Sequence, residues 1–128
     1  MSLTVPNDLL DQAKAGDVDD AAFVACVRDS LPYAWSLISE LVKERQHSGA
    51  AFADNQVPPP SEAARGELLR CLASDAMRGA LERHFGVRLA FQNCHRVAVF
   101  DPAAGEALAE FVTPRAQILN QKPELVDC

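Results

Sequence analysis

"VRLAFQNCHRVAVF", residues 87–100, is the stretch on which the fold turns. Val87, Leu89, Phe91, Val97 and Val99 alternate with the residues between them, the two-residue period of a strand with one face on a core. Asn93 and His95 fall on that apolar face, while Gln92, Cys94 and Arg96 point to the other. Cys94 and His95 therefore diverge, and only a bulge would bring them together as a nucleophile and its base. A lone strand cannot satisfy its own backbone groups. Its partner is expected in "MSLTV", in "AEFVT", or in the equivalent strand of a second chain across a two-fold axis.

Working outward, the neighbouring segments carry helical periods. Pro6 and Gly16 bracket a short helix, and "DVDDAAFVACVRDSL" spaces Phe23, Val24, Val27 and Leu31 on one side of a second. Ser30, Leu31 and Pro32 read as the N-terminal cap of a third helix, whose apolar side holds Trp35, Ile38, Leu41 and Val42. Residues 50–60, closing in three prolines, read as a stiffened connecting loop. Ser61 opens the longest helical pattern, which runs to a stop at Gly86. Gly66 and Gly79 weaken that pattern and suggest close approach of another segment. Beyond Asp101 and Pro102 the tail mixes helix and strand signals, with a short helix opened by Thr113 and Pro114. These elements predict an α+β fold: one mostly helical domain over residues 1–128, with a small β-sheet completed or swapped in a homodimer.

Composition narrows the function classes. A formal net charge of -6 opposes nonspecific nucleic-acid binding, which needs a surplus of Lys and Arg on one face. No long apolar segment and no basic leader is present, which predicts a cytoplasmic protein without a membrane span. Four scattered cysteines form no CxxC pair and no zinc spacing, so neither a metal nor another cofactor is expected. Phosphate-loop, HExxH and GxSxG patterns are lacking.

The candidate catalytic residues are His95, as a general acid and base, with Asn93 and Arg96 to polarise a carbonyl. The competing reading makes His95 and Asn93 hydrogen-bonded core residues. For ligand binding, Phe52, Asp54, Asn55 and Gln56 stand out in a loop, Trp35 offers an aromatic surface, and Arg78 becomes a ligand if it faces a groove. The plainer expectation for Arg78 is an exposed pair with Asp75, one turn away.

The motifs "VRDSLPYAW", "FADNQVPPP", "LLRCLASDAMRGALERHFGV" and "LAFQNCHRVAVF" resemble a family of small streptomycete proteins. In size and layout the chain is also similar to the lysinoalanine-forming accessory proteins of cinnamycin-type lanthipeptide pathways. That resemblance implies a cofactor-free dimer that binds a modified precursor peptide and promotes addition of a lysine amine to dehydroalanine. Proximity alone contributes about 7–11 kcal/mol in favourable cases, so a peptide groove and one proton-carrying group would be enough. The alternative is a noncatalytic homodimeric binding or regulatory module, in which the polar residues satisfy one another.

Overall fold

The computed structural model describes residues 3–92 and 96–120. Seven helices and three strands follow in order among these residues: α1 Asn7–Ala15, α2 Asp20–Ser30, α3 Pro32–Ser48, β1 Phe52–Asp54, α4 Glu62–Ala73, α5 Asp75–Phe85, β2 Arg88–Gln92, β3 Arg96–Phe100, α6 Gly105–Phe111 and α7 Pro114–Leu119. The architecture is α+β, mostly helical, with one small antiparallel sheet.

Local chemistry sets the helix limits. Side-chain oxygens of Asp19, Ser61, Ser74 and Thr113 each accept the backbone N–H three residues on, filling donors that the first turn leaves open. Gly86 ends α5 at φ 66°, a left-handed cap that favours a residue without Cβ, and the Val87 N–H after it donates to the Glu82 carbonyl at 3.1 Å. The start of α3 is capped from a distance. Pro32 occupies its first turn, and Glu67 of α4 accepts from Tyr33 N at 2.8 Å and Ala34 N at 3.4 Å. Ser30, expected to cap this helix, instead accepts from Thr4 N at 2.9 Å and ties the N-terminal segment to α2.

Two expectations change. The long helical pattern of 61–86 is broken at Ser74, whose extended backbone (φ -91°, ψ 117°) ends α4 and whose hydroxyl caps α5 at Met77 N. A helix N-cap signal inside an apolar period marks a corner, and the turn lets both halves pack against the sheet. Nor does another segment approach the glycines of this pattern: a Cβ on Gly66 or Gly79 would meet only Arg70 or Arg83 of its own helix.

The strand of 87–100 is two strands. β2 and β3 pair antiparallel with Ala90 opposite Ala98, and β1 joins the other edge of β3 with Ala53 opposite Val99, giving the order β1-β3-β2. The partner of the 87–100 segment is thus its own other half together with the start of the proline-rich loop. "AEFVT" lies at the end of α6 and just beyond, and Leu3 to Val5 form no strand. The three strands described all come from one chain.

The sheet is covered on both faces, which is why β3 reads as nearly continuous apolar sequence. Ala53, Leu89, Val97 and Val99 pack into a helical layer that includes Val27, Ile38, Leu68 and Leu81. On the opposite face Ala90, Ala98 and Phe100 lie under Phe111 of α6. Phe100 is wholly buried, stacked on Phe52 at 5.1 Å and edge-on to Phe111 at 5.4 Å between ring centres.

Candidate functional site

The α6 face of the sheet gathers most of the polar residues singled out from the sequence. The two-residue period puts Phe52 and Asp54 of β1 on the same side as Ala98 and Phe100, and Gln92 stands opposite Arg96. At the centre Arg96 Nε donates to Asp54 Oδ2 at 2.9 Å, with the two side chains only 11% and 16% exposed. Arg96 Nη1 also donates to the Asn120 carbonyl at 3.2 Å, tying β3 to the end of α7. Gln56 Nε2 donates to the other Asp54 oxygen at 2.7 Å.

Asn55 acts as an extension of β1. Its N–H donates to the Val97 carbonyl, and its Oδ1 accepts from Val97 N at 2.8 Å, where a further β1 residue would otherwise serve. Its amide donates to the Val57 carbonyl at 3.4 Å, which turns the chain away from the sheet. The residue is 6% exposed, so leaving Val97 N unpaired there would cost the desolvation of a buried donor.

Asp54, Asn55 and Gln56 also line one side of a groove of about 470 Å³, with Val57, Pro58 and Pro60. Tyr33, Leu37, Glu40 and Glu44 of α3 form its other side. Burial, then the carboxylates of Glu67 and Glu40, push the Tyr33 phenol above its ordinary value, so it stays a neutral hydroxyl around pH 7.

The other sequence candidates lie elsewhere. Trp35 packs on α5, 5.3 Å from the His84 ring and 5.0 Å from Phe85. Arg78 donates to Asp75 at 2.6 Å and to the Leu72 carbonyl at 2.8 Å, closing the α4–α5 corner. Asn93 and His95, expected to polarise a carbonyl and to carry the proton, lie with Cys94 outside the described residues. Among the described residues no three His, Cys, Asp or Glu side chains converge to hold a metal ion.

Sequence reasoning missed Gln92 and Glu67. Gln92 is 2% exposed and donates to the Phe111 carbonyl at 2.7 Å, while its Oε1 finds no partner among the described residues. Its only signal was a glutamine flanking a buried strand. Glu67 carried none, because its partners are 33 and 34 residues away. Cys71, taken as a small core hydrophobe, is fully buried, and burial pushes its thiol to about 12.

These features describe a compact α+β module with a nearly buried ion pair on its sheet and an acidic groove at the sheet edge. The family model described as NucS shadow ORF matches residues 1–128, and the chain belongs to that family. No curated protein and no solved structure matches it. This assignment replaces the resemblance to lysinoalanine-forming accessory proteins and to the small streptomycete family read from the motifs. Size and helix order, on which the lanthipeptide likeness rested, are shared by many unrelated small domains and carry no site chemistry. Among the described residues no helix is long and apolar enough to cross a membrane.

Proposed function

We propose that this chain is a noncatalytic folded module acting in the cytoplasm, and that the polar residues around Arg96 hold the sheet and not a substrate. The observation that supports this is the closed pairing of the site. Arg96 is committed to Asp54 and Asn120, Asp54 also to Gln56, and Asn55 to Val97 and Val57. A guanidinium that polarises a substrate carbonyl must face the substrate. Here it would first have to leave a nearly buried carboxylate, stranding that charge.

A stop codon in this frame that leaves the NucS protein unchanged asks whether the chain has a role. Complementation with wild type or with the paired variant Asp54→Leu/Arg96→Met then asks whether the polar pair does chemistry. The paired variant is expected to complement as well as wild type. Loss of complementation by a paired variant that is folded and stable would sink the proposal.

The family description itself favours a second reading, in which the frame shadows that of NucS and its product has no selected role. One structural observation opposes it. Glycine stands at each of the three left-handed helix ends, Gly16, Gly49 and Gly86, four side chains cap N-termini, and apolar periods match both sheet faces. Agreement of local and global preferences is the mark of a sequence that specifies a fold, and a frame never read as protein has no reason to acquire it. Targeted mass spectrometry for peptides of this chain separates the two: the module requires them in cells, and the shadow reading does not.

A further inference from the structure

We infer that residues 3–18, an extended segment with α1 and the turn after it, form a strap that lifts from the folded body as one unit and so gates the Cys26 thiol. The strap is weakly tied. Of the nine residues of α1 only Leu9 is buried, and from the segment before it Leu3 packs on the core half-buried. Among the described residues, its hydrogen bonds to the body are both at Thr4. The Thr4 N–H donates to Ser30 Oγ at 2.9 Å, and its carbonyl accepts from Cys26 Sγ at 3.4 Å. The strap carries Asp8, Asp11, Lys14 and Asp17, yet among the described residues no ion pair joins it to the rest.

Beneath the strap lies space where packing would hold it. Val5, Leu9 and Ala13 face Phe23 and Cys26 of α2 and Ala76 of α5 across a cavity of about 430 Å³. Apolar groups that line a void forfeit the dispersion contacts of a close-packed interface. The body, by contrast, is closed without the strap. Arg83 donates to both Asp20 oxygens, at 3.1 and 2.7 Å, and so joins α5 to α2 directly. Asp19 caps α2 with its own side chain.

The joint is residues 16–19. Gly16 sits there at φ 80°, and Gln12 Oε1 accepts from Asp19 N at 3.0 Å, a bond that crosses the joint. Openings that follow contiguous segments range in free energy from near zero up to that of global unfolding, and few buried apolar contacts place a segment at the low end. Once lifted, α1 has nine residues and no side-chain N-cap, too little to remain helical alone. Cys26 is 4% exposed under the strap, so its thiol meets a reagent when the strap lifts. Cys71 lies wholly inside the helical core and meets one only when the domain unfolds. The strap rests on the helical layer, across the sheet from the Arg96 pair, so this inference and the noncatalytic reading can fail separately.

The experiment is iodoacetamide alkylation of the whole chain in a urea series, read at each cysteine by peptide mass mapping, with each rate divided by that of the urea-unfolded chain. Without urea Cys26 is expected to react at least about a hundredfold faster than Cys71, and with a shallower dependence on urea. The best-protected amide of α1 is expected to give the same opening constant by hydrogen exchange. Phe100→Ala weakens the body in the closed and the lifted state alike, so it is expected to speed Cys71 by at least about a hundredfold and to leave Cys26 unchanged. The proposal is overturned if Cys26 and Cys71 share one rate and one urea slope, or if Phe100→Ala speeds both equally. It is also overturned if Cys26 reacts fast while the α1 amides stay protected, since the reagent would then enter the cavity with the strap in place. Should Phe100→Ala not fold, the wild-type rates and slopes carry the same decision.

Discussion

Replacing Arg96 by Met tests whether the α6 face is a structural or a chemical site. The guanidinium and its Asp54 partner are 11% and 16% exposed and 2.9 Å apart, so little water remains to solvate the carboxylate once its partner goes. Breaking a buried pair by removing one member costs about 3–5 kcal/mol, and the residual exposure here argues for the lower end, about 3 kcal/mol. The lost bond to the Asn120 carbonyl adds to this by about 1 kcal/mol. Against a total stability of about 5–15 kcal/mol for a domain, such a loss is a large fraction. Urea unfolding followed by far-ultraviolet circular dichroism measures it, with the midpoint falling at constant slope. Asp54→Leu in the Arg96→Met background should recover most of the loss, because no buried charge is then left alone. If Arg96→Met costs less than about 1 kcal/mol, the pair is solvated like a surface bridge and the structural reading of Arg96 is wrong.

Other outcomes follow from single features. Glu67→Ala strips a cap from two N–H groups of α3 and should cost about 1–2 kcal/mol, seen as early fraying of α3 in amide exchange. Phe100→Ala empties the space between Phe52 and Phe111 and should cost about 3–5 kcal/mol by chemical denaturation. Gly86→Ala should cost about 1 kcal/mol from its positive φ alone, since an added Cβ meets nothing within 4 Å, and calorimetry would show a lowered midpoint. The thiol of Cys71, at about 12 in the fold against 9.0 otherwise, ionises more readily in the unfolded chain. Its contribution is intact below pH 9 and is lost as pH rises toward 12, at up to about 1.4 kcal/mol per pH unit. Unfolding at stepped pH should show that slope flattened in Cys71→Ala.

The helices and their ends were open to sequence reasoning because their determinants are local. Asp19 lies three residues from the donor it caps, and Gly86 lies directly after the last apolar turn. Ser74 was equally local, yet the apolar period running through it masked the corner. The strand segment was legible as β structure by its alternation, although that period is blind to a reversal between two strands that each keep it. β1 was hidden in "FADNQVPPP", where three residues are too few to show a period.

Among the candidate site residues, Asp54, Gln56 and Arg96 do meet, but nothing in their spacing says so, with Asp54 and Arg96 on different strands. Turn glycines, helix caps and the strand period are written in neighbouring residues, so the sequence by itself determined the α+β class and the helix register. The strand order and the pairing of Arg96 with Asp54 are contacts between distant segments. Only tertiary packing decided them, because the desolvation that makes a charge structural depends on what the rest of the chain places around it.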